Sequence, residues 1–206
     1  MKYLWTVIIF ISLFILGYTF FSSGGNDKVI YEQTILEERE KKAEFMENDP
    51  DSPFRKKGLV TFGGLKYFDP DPAFRVEAEV KLLEQPEEIQ LTLNDGSQRK
   101  YFRYARAKFE LSGIPQMLVL LKSEDYWNED WVFLPFYDET SADETYGGGR
   151  YLEVPYAGGS TAFIDFNLSY NPYCAYTDTY LCPFPPPENQ ITVRVTAGEK
   201  LYSQDH

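Results

Sequence analysis

Phe74-Arg-Val-Glu-Ala-Glu-Val-Lys81 decides the fold class. Apolar side chains at 74, 76, 78 and 80 alternate with charged ones at 75, 77, 79 and 81. A period of two sends the two sets to opposite faces of an extended chain, so this stretch reads as a half-buried strand. The same period recurs downstream. Ile89, Leu91 and Leu93 alternate before Asn94-Asp95-Gly96-Ser97, a tight hairpin signal. Ala105, Ala107, Phe109 and Leu111 alternate with Arg106, Lys108 and Glu110 before Ser112-Gly113 turns the chain again. Met117 to Leu121 is a continuous apolar run, the pattern of a strand covered on both faces. Trp131–Phe136 is a further strand, with Pro135 pointing to an edge or bulge. Shorter runs at 151–154, 162–166 and 191–196 complete the set, with no helical pattern between them. The expected fold is mainly β, a small antiparallel β-barrel or sandwich of seven to eight strands.

Upstream the pattern changes. Tyr3 to Phe21 contains no charged residue, and at about 1.5 Å per residue a helix there spans roughly 28 Å, near the thickness of a bilayer core. Residues 1–21 are therefore expected to be a transmembrane helix, a single-pass anchor rather than a cleaved signal peptide. The domain would lie on the extracytoplasmic side of the membrane. Residues 22–26 read as a flexible tether and 27–50 as a charged helix stopped by Asn48-Asp49-Pro50. Glu37–Lys41 and Glu38–Lys42 have i,i+4 spacing, and Val29, Leu36 and Ala43 form a narrow stripe expected to dock. Residues 51–206 are expected to form a single β-rich domain.

Composition narrows the function classes. The 206 residues carry 20 Lys and Arg against 32 Asp and Glu, a net charge of −12 that argues against a nucleic-acid partner. The one histidine is His206, which removes the common imidazole-based catalytic and zinc constellations. No metal or cofactor is expected, and the sequence carries no signal for an oligomeric state.

Candidate site residues concentrate in the second half, where sixteen aromatics lie between Tyr126 and Phe184. Tyr146-Gly147-Gly148-Gly149-Arg150 is either a bulged turn or an anion-binding nest flanked by a guanidinium. Asp165, Asn167 and Asn171 are either turn caps or hydrogen-bonding groups of one pocket. Cys174 and Cys182 bracket seven residues, a spacing open to a structural disulfide, a reduced buried pair or a reactive thiol. Of the C-terminal polar residues, Asn189 and Glu199 draw notice. Together these suggest a pocket lined by Tyr146, Tyr151, Tyr170 and Tyr173, oriented by Arg150, Asp165 and Asn171, for a small polar or anionic ligand. A hydrolase or transferase using the carboxylates of Asp138, Glu144 or Asp165, or a thiol, is the enzymatic alternative. A structural subunit of an envelope complex, docking through the charged helix, is the third.

The string Phe133-Leu-Pro-Phe-Tyr-Asp-Glu-Thr140, Glu144-Thr-Tyr-Gly-Gly-Gly-Arg-Tyr151, Asp165-Phe-Asn167, Asn171-Pro-Tyr-Cys-Ala-Tyr176, Cys182-Pro-Phe-Pro-Pro and Glu188-Asn189 resembles the domain-of-unknown-function 1684 family, found mostly in bacteria. The resemblance implies a compact β-rich domain and attaches no activity to it. It also implies that Asp138, Thr140, Glu144, Thr145, residues 147–150, Asp165, Asn167, Asn171, both cysteines and Asn189 belong to a shared motif. Members with and without a leader imply that the cysteine pair need not be bonded.

Overall fold

The computed structural model describes residues 27–55 and 62–202. Six strands make one antiparallel sheet: β1 (Arg75–Thr92), β2 (Gln98–Leu111), β3 (Ile114–Lys122), β4 (Trp131–Phe136), β5 (Arg150–Pro155) and β6 (Thr161–Asp165). The first five follow one another as a meander, and β6 returns to pair with β1, giving the order β5-β4-β3-β2-β1-β6. The sheet curls until β5 and β6 approach each other, so the architecture is a nearly closed barrel. The hairpin turns are those the sequence announces. Gly96 (φ 85°) closes the β1–β2 turn, and Ser112 (φ 53°) with Gly113 (φ 76°) closes the two-residue β2–β3 turn.

Six strands replace the expected seven to eight, for two reasons. The runs at 74–81 and 89–93 are one continuous strand, whose pairing with β2 slips between Leu82 and Glu87 and leaves Pro86 inside the irregularity. The alternating run 191–196 is no strand. Past a single parallel bridge between Tyr137 and Gln190, Val193 O still meets backbone, at Glu139 N–H, while side chains take the next donors: Thr192 N–H donates to Gln116 Oε1 and Val195 N–H to Asp138 Oδ2. Its alternation is real, since Ile191 and Val195 are buried, but it records burial against the barrel rather than a ladder.

Small residues line the strongly curved part of the barrel, where Val80 pairs with Ala107, Leu82 with Ala105 and Ala78 with Ala162. Phe109, Phe136 and Phe166 fill the remaining interior, with ring centroids 5.3 to 5.8 Å apart. A second apolar layer covers the outer side of β2–β5, built on Tyr101, Val119, Leu121, Phe133 and Tyr151. Two covered faces account for the unbroken apolar run in β3. Where β3 and β4 part, a single register pair remains, Leu121 with Phe133. The Asn189 side chain fills the gap. Its Oδ1 accepts from Val119 N (2.7 Å), and its Nδ2 donates to Val119 O (2.9 Å) and Pro135 O (2.8 Å). A side-chain amide thus stands in for a peptide group between two strands.

Helix α1 covers 27–48 and lies against the barrel. Its docked face carries Tyr31, Ile35, Arg39, Lys42 and Met46, at steps of four, four, three and four. Val29 and Leu36 of the expected stripe are 57% and 51% exposed, so the heptad reading chose the wrong face. Lys42 turns to Glu199 (3.0 Å) instead of Glu38, which pairs with Lys41 (2.6 Å).

Among the described residues no helix is long and apolar enough to cross a membrane. The expectation of a single-pass membrane protein with an extracytoplasmic domain is corrected on that finding: α1 is heavily charged and packs on its own barrel. The stretch 3–21 and the tether 22–26, on which that expectation rested, lie outside the described residues.

Candidate functional site

Arg150 begins β5 with its side chain turned inward, 1% exposed, and makes an ion pair with Asp138 (3.1 Å). The same Nη2 also bonds Val195 O, and Nη1 bonds the carbonyls of Ala197 and Glu199, so the guanidinium holds the C-terminal segment. The other oxygen of Asp138 accepts from Thr140 N (3.1 Å), Thr140 Oγ1 (2.8 Å) and Val195 N (2.8 Å). Burial lowers the pKa of Arg150, and the adjacent Asp138 opposes that shift. Breaking such a pair from one side costs about 3–5 kcal/mol, because the remaining charge is stranded. Arg150 is therefore a brace for residues 195–199 and does not line a cavity mouth.

The glycine run serves the same brace. Gly149 adopts φ 84°, and a Cβ there would meet Phe136 O at 2.8 Å and the Pro185 ring at 2.6 Å. Its N–H is spent on Tyr146 O (3.1 Å), which leaves it unavailable to an external anion. Gly147 and Gly148 carry no positive φ, and Gly148 packs under the Tyr146 ring.

Asp165 and Asn167 tie α1 to the barrel. Tyr31 Oη donates to Asp165 (2.9 Å), and Asn167 Nδ2 reaches Tyr31 Oη and Asp71 O (both 2.8 Å). Asn171, fully buried, donates to Glu199 Oε1 (2.9 Å) and Lys200 O (2.8 Å). Glu199, also fully buried, receives Lys42 Nζ and the Tyr176 hydroxyl (2.5 Å). Burial and then Glu199 raise the pKa of Tyr176, while burial lowers that of Lys42. Arg150 and Asn171 therefore meet at Glu199, through its carbonyl and its carboxylate, while Asp165 bonds Tyr31 of α1, and none of the three lines the cavity described below. Glu144 lies at the surface beside Arg194. None of Asp138, Glu144 and Asp165 lines the cavity described next.

A cavity of about 550 Å³ lies between the outer face of β2–β5, the C-terminal end of α1 and the covering residues 170–183. Nine of its seventeen lining residues are aromatic, among them Tyr151, Tyr170 and Tyr173. The rings brace one another. Tyr126 stacks on Trp131 (4.5 Å), Phe133 meets Tyr151 edge-on (4.8 Å), and Tyr173 meets Tyr180 edge-on (5.1 Å). Two hydroxyls fix the frame: Tyr151 Oη donates to Pro183 O and Tyr170 Oη to Glu153 Oε1. Burial pushes the pKa of Tyr151, Tyr170 and Tyr126 upward, so these rings stay neutral. The charged lining groups are Lys42, whose ammonium sits 4.3 Å from the Tyr170 ring centroid, the exposed Arg99, and Glu153. The Tyr180 hydroxyl is buried without a hydrogen-bond partner. A volume in the range of small-molecule sites, apolar walls and few polar groups are the ordinary features of a binding pocket.

Cys182 is part of this lining, and Cys174 lies beside it; neither is in a disulfide. Tyr146 is absent from the lining and sets its hydroxyl 3.8 Å from Cys174 Sγ. Sequence reasoning passed over Lys42, Arg99, Tyr101 and Trp131. Lys42 stands on the helix and Arg99 and Tyr101 on β2, 25 to 141 residues from the walls that start at Tyr126, so no local pattern groups them. Trp131 and Glu153 had a usable signal: outward positions of strands that are covered on both faces.

The site and scaffold together define the class, a nearly closed antiparallel barrel with an aromatic cavity outside its sheet. The chain belongs to the family described as "Protein of unknown function (DUF1684)", whose model matches residues 60–200. It is similar to an uncharacterised protein of Haloarcula marismortui solved by solution NMR, with a TM-score of 0.65 and 34% identity over 88% of this chain and 99% of that one. No curated protein matches the chain.

Proposed function

We propose that the protein is a small-molecule-binding module whose site is the aromatic cavity, and that it takes a ligand with a flat apolar body and an anionic group. The observation that carries this reading is a 550 Å³ space whose walls are mostly mutually braced rings. Rings that hold one another by edge and face do not need a ligand to stay apart, so the pocket is preorganised and binding loses little ordering entropy. Anion preference rests on Arg99, the exposed cation of the lining, because Lys42 is already engaged by Glu199.

The test uses anilinonaphthalene sulfonate, an aromatic anion whose fluorescence rises in apolar surroundings. The folded protein is expected to bind it at one saturable site. Trp131→Ala removes part of the wall and Arg99→Ala the cation. The second is expected to weaken binding about three- to tenfold with only a small fall in melting temperature, since Arg99 is exposed but also donates to Leu181 O (3.3 Å). Saturable binding that both variants leave intact would remove the cavity from consideration.

A further inference from the structure

The two cysteines pack at the edge of the outer apolar layer and take no part in the polar braces. Cys174 N–H donates to Cys182 Sγ at 3.3 Å, which places the two residues side by side. Cys182 is anchored from the β1–β2 turn: its N–H donates to Asn94 Oδ1 (2.9 Å) and its carbonyl accepts from Asn94 N–H (3.2 Å). It is 8% exposed and borders the cavity, so the void gives access to an otherwise buried sulfur. The charged and titratable groups around the pair are Arg99 on β2, Tyr151 on β5 and Tyr146 before it. The hydrogen bond from Cys174 pulls the pKa of Cys182 down against the opposing effect of burial, and Arg99 adds to the pull. The same hydrogen bond, with burial, pushes Cys174 up. These directions favour thiolate character at Cys182, the sulfur that receives the Cys174 N–H and borders the cavity.

We propose that Cys182 and Cys174 form a redox-active dithiol opening on the aromatic cavity, with Cys182 the attacking and Cys174 the resolving sulfur, and that it exchanges with small-molecule disulfides. In the first step the Cys182 thiolate attacks one sulfur of the disulfide. A new S–S bond forms, the old one breaks, and the leaving thiolate takes up a proton from solvent. In the second step Cys174 gives up its proton and attacks Cys182; the mixed disulfide breaks and the second small thiol leaves. Two protein thiols are oxidised by two electrons, and one disulfide is reduced to two thiols. The product would tie residue 174 to residue 182, the two ends of the covering loop that carries Tyr180 and Leu181. This chemistry needs no ligand in the cavity and stands apart from the binding reading.

The experiment equilibrates the reduced full-length protein in glutathione buffers of increasing disulfide fraction, quenches in acid, labels free thiols with a maleimide and weighs the product. Both thiols are expected to disappear together, with a mass loss of about 2 Da and a single midpoint. Cys174→Ser should stop at a lasting glutathione adduct on Cys182. In Cys182→Ser, modification of Cys174 should slow at least about tenfold. In Cys174→Ala, Cys182 loses its neighbouring thiol, and the inflection of its alkylation rate with pH should move up toward the ordinary thiol value of about 8.5, whereas in wild type it lies lower. Wild type that keeps both thiols across the series, or single variants whose two cysteines react at equal rates, would overturn the proposal. The wild-type titration decides alone if a variant fails to fold.

Discussion

Arg150 and Lys42 are two cations withdrawn from water, and the difference between their surroundings explains the molecule. Around Arg150 every neighbour is spoken for. Asp138 and three backbone carbonyls surround it, and Gly149 is pressed against Phe136 O. Around Lys42 one oxygen of Glu199 and one face of Tyr170 are engaged, and a void of about 550 Å³ lies beyond them. Both regions draw on the same aromatic, glycine-rich third of the chain. A motif that looks like a ligand cradle can thus be a scaffold, and the space it keeps open can lie somewhere else. Open space separates the two: Arg150, whose Nε is buried without a partner, is enclosed by Asp138 and backbone, whereas Lys42 borders the void.

Three perturbations test that contrast, taken from the largest effect down. Arg150→Met should destabilise the fold by about 3–5 kcal/mol in urea unfolding, because Asp138 is left buried without its cation. A loss under about 1 kcal/mol would mean that residues 195–199 are held by something else. Gly149→Ala should cost about 2–3 kcal/mol, from the strained φ together with the approach to Phe136 O, with the same measurement as the check. If it were neutral, the tight turn would not be what seats β5. The smallest effect is on pH. The tyrosines of the cavity have raised pKa values when folded, so their contribution to stability is fully present below the unfolded value of about 10 and is lost as pH rises beyond it. Stability should fall above about pH 10, with tyrosinate absorbance appearing together with unfolding. Tyrosinate that appears while the protein is still folded would show that the rings are open to water.

Much of the barrel was legible. The alternation at 74–81 and 105–111, the Asn94–Ser97 turn and the Ser112-Gly113 turn all lie where the sequence announces them, because each is a local property of side-chain period or backbone handedness. The run 191–196 misled for a specific reason: period two reports which side is buried, and a segment packed on the barrel can bury alternate side chains without forming a ladder. The helix stripe misled because Arg39 and Lys42 dock through polar tips, which a search for apolar residues passes over. At the site, the tyrosines at 151, 170 and 173 were singled out in advance, whereas the orienting roles given to Arg150, Asp165 and Asn171 went to residues with other work.

By itself the sequence determined the β class, the positions of the tight turns, the family and the clustering of rings and cysteines in one stretch, since these depend on period, chirality and composition. Tertiary structure alone decided which polar groups are consumed and which border open space. Asn171 meets Glu199 across 28 residues and Lys42 meets it across 157, and only the closing of the barrel brings Arg99 and Cys182 to one cavity. Whether a charged side chain is a brace or a ligand contact depends on its long-range partners, and no local pattern of residues encodes them.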